Sequence, residues 1–105
     1  MIDIIIQKKD DNYKGMICSG HADYAEHGQD IICSAVSILV INTINAIDKL
    51  TCDECEASDD GKIVFDFIGT VSHDAKLLMD TLVLGLLEVQ KEYGEKYLKI
   101  SFKEV

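Results

Sequence analysis

Ile2, Ile4 and Ile6 share one face of the first residues, with Asp3, Ile5 and Gln7 on the other. Apolar residues at period two mark a half-buried strand. Lys9-Asp10-Asp11-Asn12 is a polar turn signal, and Tyr13 to Gly20 reads as a second strand returning along the first. His21 to Gln29 is polar, contains Gly28, and reads as a loop. The period then changes. Asp30 is a favourable N-cap, and a helix is predicted from Ile31 to about Leu50. That helix is apolar almost all round, which predicts burial on most of its sides: by the sheet, by another helix and by a second subunit.

Cys52 to Ala57 and Lys62 to Ile68 read as two strands flanking Ser58-Asp59-Asp60-Gly61, where Asp-Gly is a strong hairpin signal. Ile63, Phe65 and Phe67 share one face of the second of these strands. Ser72 caps a second helix running to about Tyr93, where Gly94 stops it. Leu78, Leu82, Gly85, Leu86 and Val89 form its apolar stripe, and Gly85 predicts a close approach of the two helices. Leu98, Ile100 and Phe102 alternate in a last strand. The predicted order is β-β-α-β-β-α-β: an α+β fold whose mainly antiparallel sheet packs with two helices, the first central and the second beside it. No repeat, linker or low-complexity stretch divides residues 1–105, which are read as a single domain.

A hydrophobic content of 48% over 105 residues is enough for one real core and too little for two. Asn42, Asn45 and Asp48 interrupt the apolar run of the first helix, so no membrane span is predicted. Met1-Ile2-Asp3-Ile4 lacks the basic start of a secretory signal, and a cytoplasmic location is expected. The net charge of −9 argues against direct binding of nucleic acid and favours a basic partner.

The chemistry concentrates in Gly20-His21-Ala22 and Asp30-Ile31-Ile32-Cys33-Ser34-Ala35-Val36-Ser37. Cys33 falls at the third helical position after the Asp30 cap. Thiolate, the nucleophilic form of cysteine, is favoured by the unpaired N–H groups of a helix start. The same amides can donate to an oxyanion. His21 follows a strand and can return to the helix start as base, then as acid to a leaving amine. Asp30 either orients His21 or only caps the helix; capping is the commoner role. Ser37 lies one turn after Cys33, where it can reach the site or bond back to a carbonyl.

Other residues invite weaker readings. Cys52 and Cys55 have the two-residue spacing of a zinc or redox motif, but a second ligand pair is missing unless His21 and His27 supply it. On one strand the two thiols would also point to opposite faces. His73 at a helix start is expected exposed and neutral. Tyr24 and His27 either touch substrate or pack within the loop. No metal and no cofactor is expected.

Gly20-His21-Ala22, Tyr24-Ala25, Gly28 and the run Asp30 to Ser37 resemble the Prp family of ribosomal-processing cysteine proteases. The specific part covers residues 20–37; residues 51–105 match mainly in pattern. The resemblance implies a Cys/His dyad of Cys33 and His21, with Gly20, Asp30 and Ser37 in supporting or substrate-binding roles. It implies a homodimer. It also implies a substrate, the N-terminal extension of a large-subunit ribosomal protein, cut after two aromatic residues and before a basic stretch. The loop from His21 to Gln29 is expected to order over bound peptide. The alternative is a non-catalytic dimeric binding module that accompanies ribosome assembly; a zinc-stabilised structural protein is a third reading.

Overall fold

The computed structural model describes residues 1–21, 25 and 30–105. Strands β1 (Ile2–Lys9) and β2 (Asn12–Gly20) form the first hairpin. Asp10 and Asp11 turn it, both at positive φ (51° and 64°). Two left-handed residues match the twist of a tight hairpin, and Asp tolerates that conformation better than most residues. Helix α1 (Ile31–Leu50) follows, then β3 (Cys55–Asp59), β4 (Ile63–Phe67), helix α2 (His73–Tyr93) and β5 (Leu98–Glu104). The order and the α+β class are those the sequence predicts. The helix boundaries fall where Asp30, Ser72 and Gly94 set them.

The five strands lie in the order β3-β4-β2-β1-β5, with β5 parallel to β1 and every other pair antiparallel. Residues opposed in a ladder share a face. Phe102, Ile6, Met16, Phe65 and Ala57 therefore form one row across the sheet, and Ile100, Ile4, Cys18, Ile63 and Asp59 the next. Both helices close this face. Ile4, Ile6, Met16, Phe65 and Phe67 merge with Ile32, Val36 and Val40 of α1 and Met79, Leu82 and Leu86 of α2 in one core. Tyr13 on β2 donates its hydroxyl proton to Asp80 on α2, which fixes the second helix over the sheet. That contact and burial push the Tyr13 phenol well above its ordinary range, burial most of all.

Two expectations need correction. First, within the single chain the sheet and the second helix do not bury α1 on most sides. It buries the stripe Ile32, Val36, Val40, Thr43 and Ile47 and exposes Ile31, Ile38 and Ile41 on its opposite side. A sheet covered by a two-helix layer has room for only one stripe of each helix. By length and composition α1 could cross a membrane, but its buried stripe belongs to the core it shares with the sheet. Second, β3 begins at Cys55 rather than Cys52. Residues 52–54 are drawn toward the start of α2. There the Asp53 carboxylate accepts from the Ser72 amide at 2.7 Å and the Ser72 hydroxyl at 2.5 Å. The predicted approach of the helices at Gly85 is present: a Cβ there would lie 3.3 Å from both methyls of Leu39.

Candidate active site

The last residue of β2 sets the first half of the site. Gly20 has φ of 85° and faces the carbonyl oxygen of Met1, which a Cβ would approach to 2.4 Å. No other residue meets both demands without strain. Gly20 pairs with Ile2 at the end of the ladder, and the exposed His21 leaves the sheet directly after it.

The start of α1 supplies the second half. Asp30 is only 6% exposed. Its carboxylate accepts from the amides of Ile32 at 3.0 Å and Cys33 at 3.1 Å. The Asp30 carbonyl takes the amide of Ser34 at 3.1 Å and the Ser34 hydroxyl at 3.2 Å. Asp30 therefore caps the helix. Cys33 is half-buried at the third helical position, and Ser37 is exposed one turn later.

This capping revises one expectation. The amides of Ile32 and Cys33 already serve the Asp30 carboxylate, so neither is open to an oxyanion in this state. A carboxylate at a helix start also offsets the partial positive charge there and, as a like charge, opposes ionisation of the adjacent thiol. The helix dipole alone is a weak source of thiolate here.

A cleft of about 230 Å³ gathers the pieces. Gly20, His21, Cys33 and Ser37 all line it, whereas Asp30 is not part of its wall. Its other lining residues include three with reactive or charged side chains that the sequence did not point to: Cys18, Asp59 and Lys62. They come from β2 and from the β3–β4 hairpin. Ile63 lies opposite Cys18 on one side and Asp59 on the other, so the hairpin tip meets the end of β2. The Asp-Gly turn revealed the hairpin, but no local signal revealed that β4 pairs with β2.

Two other thiols, Cys18 and Cys55, are held protonated. Burial, then Asp59, then Cys33 push the Cys18 thiol up to about 11. Burial, then Asp53 and Asp48, do the same to Cys55. Cys52 is exposed in the segment before β3. Among the described residues no third metal-ligating side chain joins Cys52 and Cys55 in a cluster. A larger depression of 530 Å³ beside them is lined by Asp53 and Ser72 and by no described histidine, so it offers no comparable base. His73 is exposed beside Asp74, its Nδ1 3.2 Å from the Asp74 carboxylate, and does not line the cleft. Tyr24, His27 and the expected ordering of the loop over peptide lie outside the described residues.

Comparison with known proteins points the same way. Residues 1–99 match the model of the family described as "Cysteine protease Prp". A ribosomal processing cysteine protease Prp from Staphylococcus aureus is 30% identical over 91 residues, covering 84% of this chain and 85% of the relative. The Bacillus subtilis protein of the same name is 30% identical over 105 residues, covering 90% and 92%. The crystal structure of Prp from S. aureus with a covalently linked product peptide superposes with a TM-score of 0.92 at 28% identity, covering 98% of this chain and 100% of that one.

Proposed function

The chain belongs to the Prp family of cysteine proteases, and from that premise we propose that it removes the N-terminal extension of a large-subunit ribosomal protein by Cys/His acyl transfer. The observation that carries the reading is the shared cleft of Cys33 and His21. Ribosomal processing is the role that names the S. aureus and B. subtilis relatives. A net charge of −9 suits a basic substrate segment.

In this mechanism His21 takes the Cys33 proton, and the resulting ion pair holds the thiolate that the helix start alone supports weakly. The sulfur attacks the scissile carbonyl. His21 then protonates the departing amine, leaving a thioester on Cys33. Water, deprotonated by His21, attacks the thioester and releases the acid. Asp30 holds the first turn of α1 in place, Gly20 delivers His21, and Ser37 faces the substrate side of the cleft. Residues 1–105 act as one protease domain in the cytoplasm, without metal or cofactor, and as a homodimer. The exposed apolar face of the two helices supports the dimer. Family membership makes the chain a cysteine protease and sets the non-catalytic binding module aside.

A peptide copying the ribosomal extension tests the assignment. Cys33→Ala and His21→Ala should each lower kcat/KM roughly 10³-fold or more, as loss of a nucleophile or its base does elsewhere. Cleavage at wild-type rate by either variant overturns it. Alkylation adds an activity-free check. Near neutral pH, iodoacetamide should modify Cys33 well before Cys18 and Cys55, whose thiols are held near 11. His21→Ala should slow that reaction if the imidazolium sustains the thiolate; an unchanged rate rejects the ion pair.

A further inference from the structure

Cys18 has no part in the acyl transfer described above, yet it lines the same cleft as Cys33. Its ladder neighbours Ile4 and Ile63 hold it on the face that the helices cover. Cys33 enters that space from the first turn of α1. Neither sulfur is in a disulfide, and Cys52 and Cys55 lie outside the cleft.

We infer that Cys18 and Cys33 form an oxidative modification site in which Cys18 captures a peroxide-oxidised Cys33 as an intramolecular disulfide. The inference rests on Cys33 being the reactive thiol. Its thiolate attacks a hydroperoxide: an S–O bond forms, the O–O bond breaks, and the leaving oxygen departs as water or an alcohol after taking a proton. The sulfur, oxidised by two electrons, is now a sulfenic acid. The Cys18 sulfur attacks it, an S–S bond forms, the S–O bond breaks, and hydroxide leaves as water with the Cys18 proton. One peroxide thus oxidises two thiols.

The electrostatics leave Cys33, and not Cys18, to meet the peroxide first. Before oxidation, burial, Asp59 and the Cys33 charge together keep Cys18 protonated and unreactive. Conversion of Cys33 to a sulfenic acid removes the smallest of these and leaves burial and Asp59 in force, so Cys18 attacks through the small fraction that ionises beside the oxidised sulfur. The disulfide sequesters the sulfur that acyl transfer requires. It also intercepts the sulfenic acid before further oxidation to sulfinic acid, and a thiol reductant restores both residues.

The experiment uses the full chain, a few equivalents of hydrogen peroxide, an iodoacetamide quench and mass spectrometry of a non-reduced digest. The wild type should give a peptide linked through Cys18 and Cys33, and its alkylatable thiols should fall from four to two. Dithiothreitol should restore all of them. In Cys18→Ser and Cys18→Ala, each checked for an unchanged circular dichroism spectrum, dimedone should trap a Cys33 sulfenic acid. Recovery of Cys33 by dithiothreitol should then drop several-fold. Sulfinic acid at Cys33 with Cys18 still fully alkylatable in the wild type overturns the inference, as does equal recovery with and without Cys18. If Cys33 alkylates no faster than Cys18 before any peroxide is added, the reading of Cys33 as the catalytic thiol fails first and the inference falls with it.

Discussion

Asp30 carries two demands that pull against each other. Its carboxylate anchors the first turn of α1 through the amides of Ile32 and Cys33. The same negative charge stands beside the thiol whose ionisation the chemistry needs. Substitution separates the two effects. Asp30→Ala removes the cap and should cost about 1 kcal/mol of stability, read by urea denaturation. Asn caps nearly as well as Asp, so Asp30→Asn should restore that stability. If Asp30 acts by capping alone, Asn should also retain peptide cleavage, and Cys33 should alkylate at a lower pH because a like charge is gone. Stable Asp30→Asn protein with severely reduced kcat would instead assign Asp30 to orienting His21. The sequence foresaw the cap, since cap preference is local. It also pointed to the amides of residues 32 or 33 as the donors to that cap, while counting on the same helix start for an oxyanion, and the two uses compete.

The elements were legible in the sequence to the extent that their causes are local. Asp30, Ser72 and Gly94 mark helix ends through backbone chemistry within a few residues, and all three ends are where that chemistry puts them. The start of β3 was missed because its cause is distant: Asp53 leaves the strand direction to bond Ser72, nineteen residues on. The hairpin wall of the cleft was missed for the same reason, since it depends on β4 pairing with β2.

The Ser72 contact makes a prediction of its own. Its hydroxyl donates to Asp53 and accepts from the Ala75 amide at 3.1 Å, so one group both caps α2 and ties the β3 connector to it. Ser72→Ala should cost about 1 kcal/mol or somewhat more, because a cap and a carboxylate partner are lost together. Although burial pulls the other way, the Ser72 hydrogen bonds hold the Asp53 carboxyl below its ordinary value. A lowered folded-state pKa stabilises the protein above the unfolded value of 3.8, and that stabilisation disappears as pH falls through the folded value. The gap between wild type and Ser72→Ala should therefore narrow below about pH 4; a gap independent of pH would leave only the neutral cap.

At the scale of the whole molecule, the helix layer presents apolar side chains in two directions. One set closes the core. The other, Ile31, Ile38 and Ile41 on α1 with Leu77, Leu84 and Leu87 on α2, faces away from it. Large apolar groups gathered on one side of a chain this acidic suit contact with another protein. In the homodimer proposed above that partner is a second copy. Because these side chains lie outside the core, charging them should spare the fold, with effects within about 0.5 kcal/mol. Ile38→Asp combined with Leu84→Asp should convert a dimer to a monomer in sedimentation while leaving the circular dichroism spectrum unchanged. Salt supplies an independent sign. Two copies at −9 each repel, and salt screens that repulsion over a Debye length of about 10 Å at 0.1 M. An association driven by apolar contact should therefore tighten as sodium chloride rises, whereas one held by ion pairs would loosen. A wild type that sediments as a monomer at every concentration and salt would remove the dimer and leave the apolar face to a different partner.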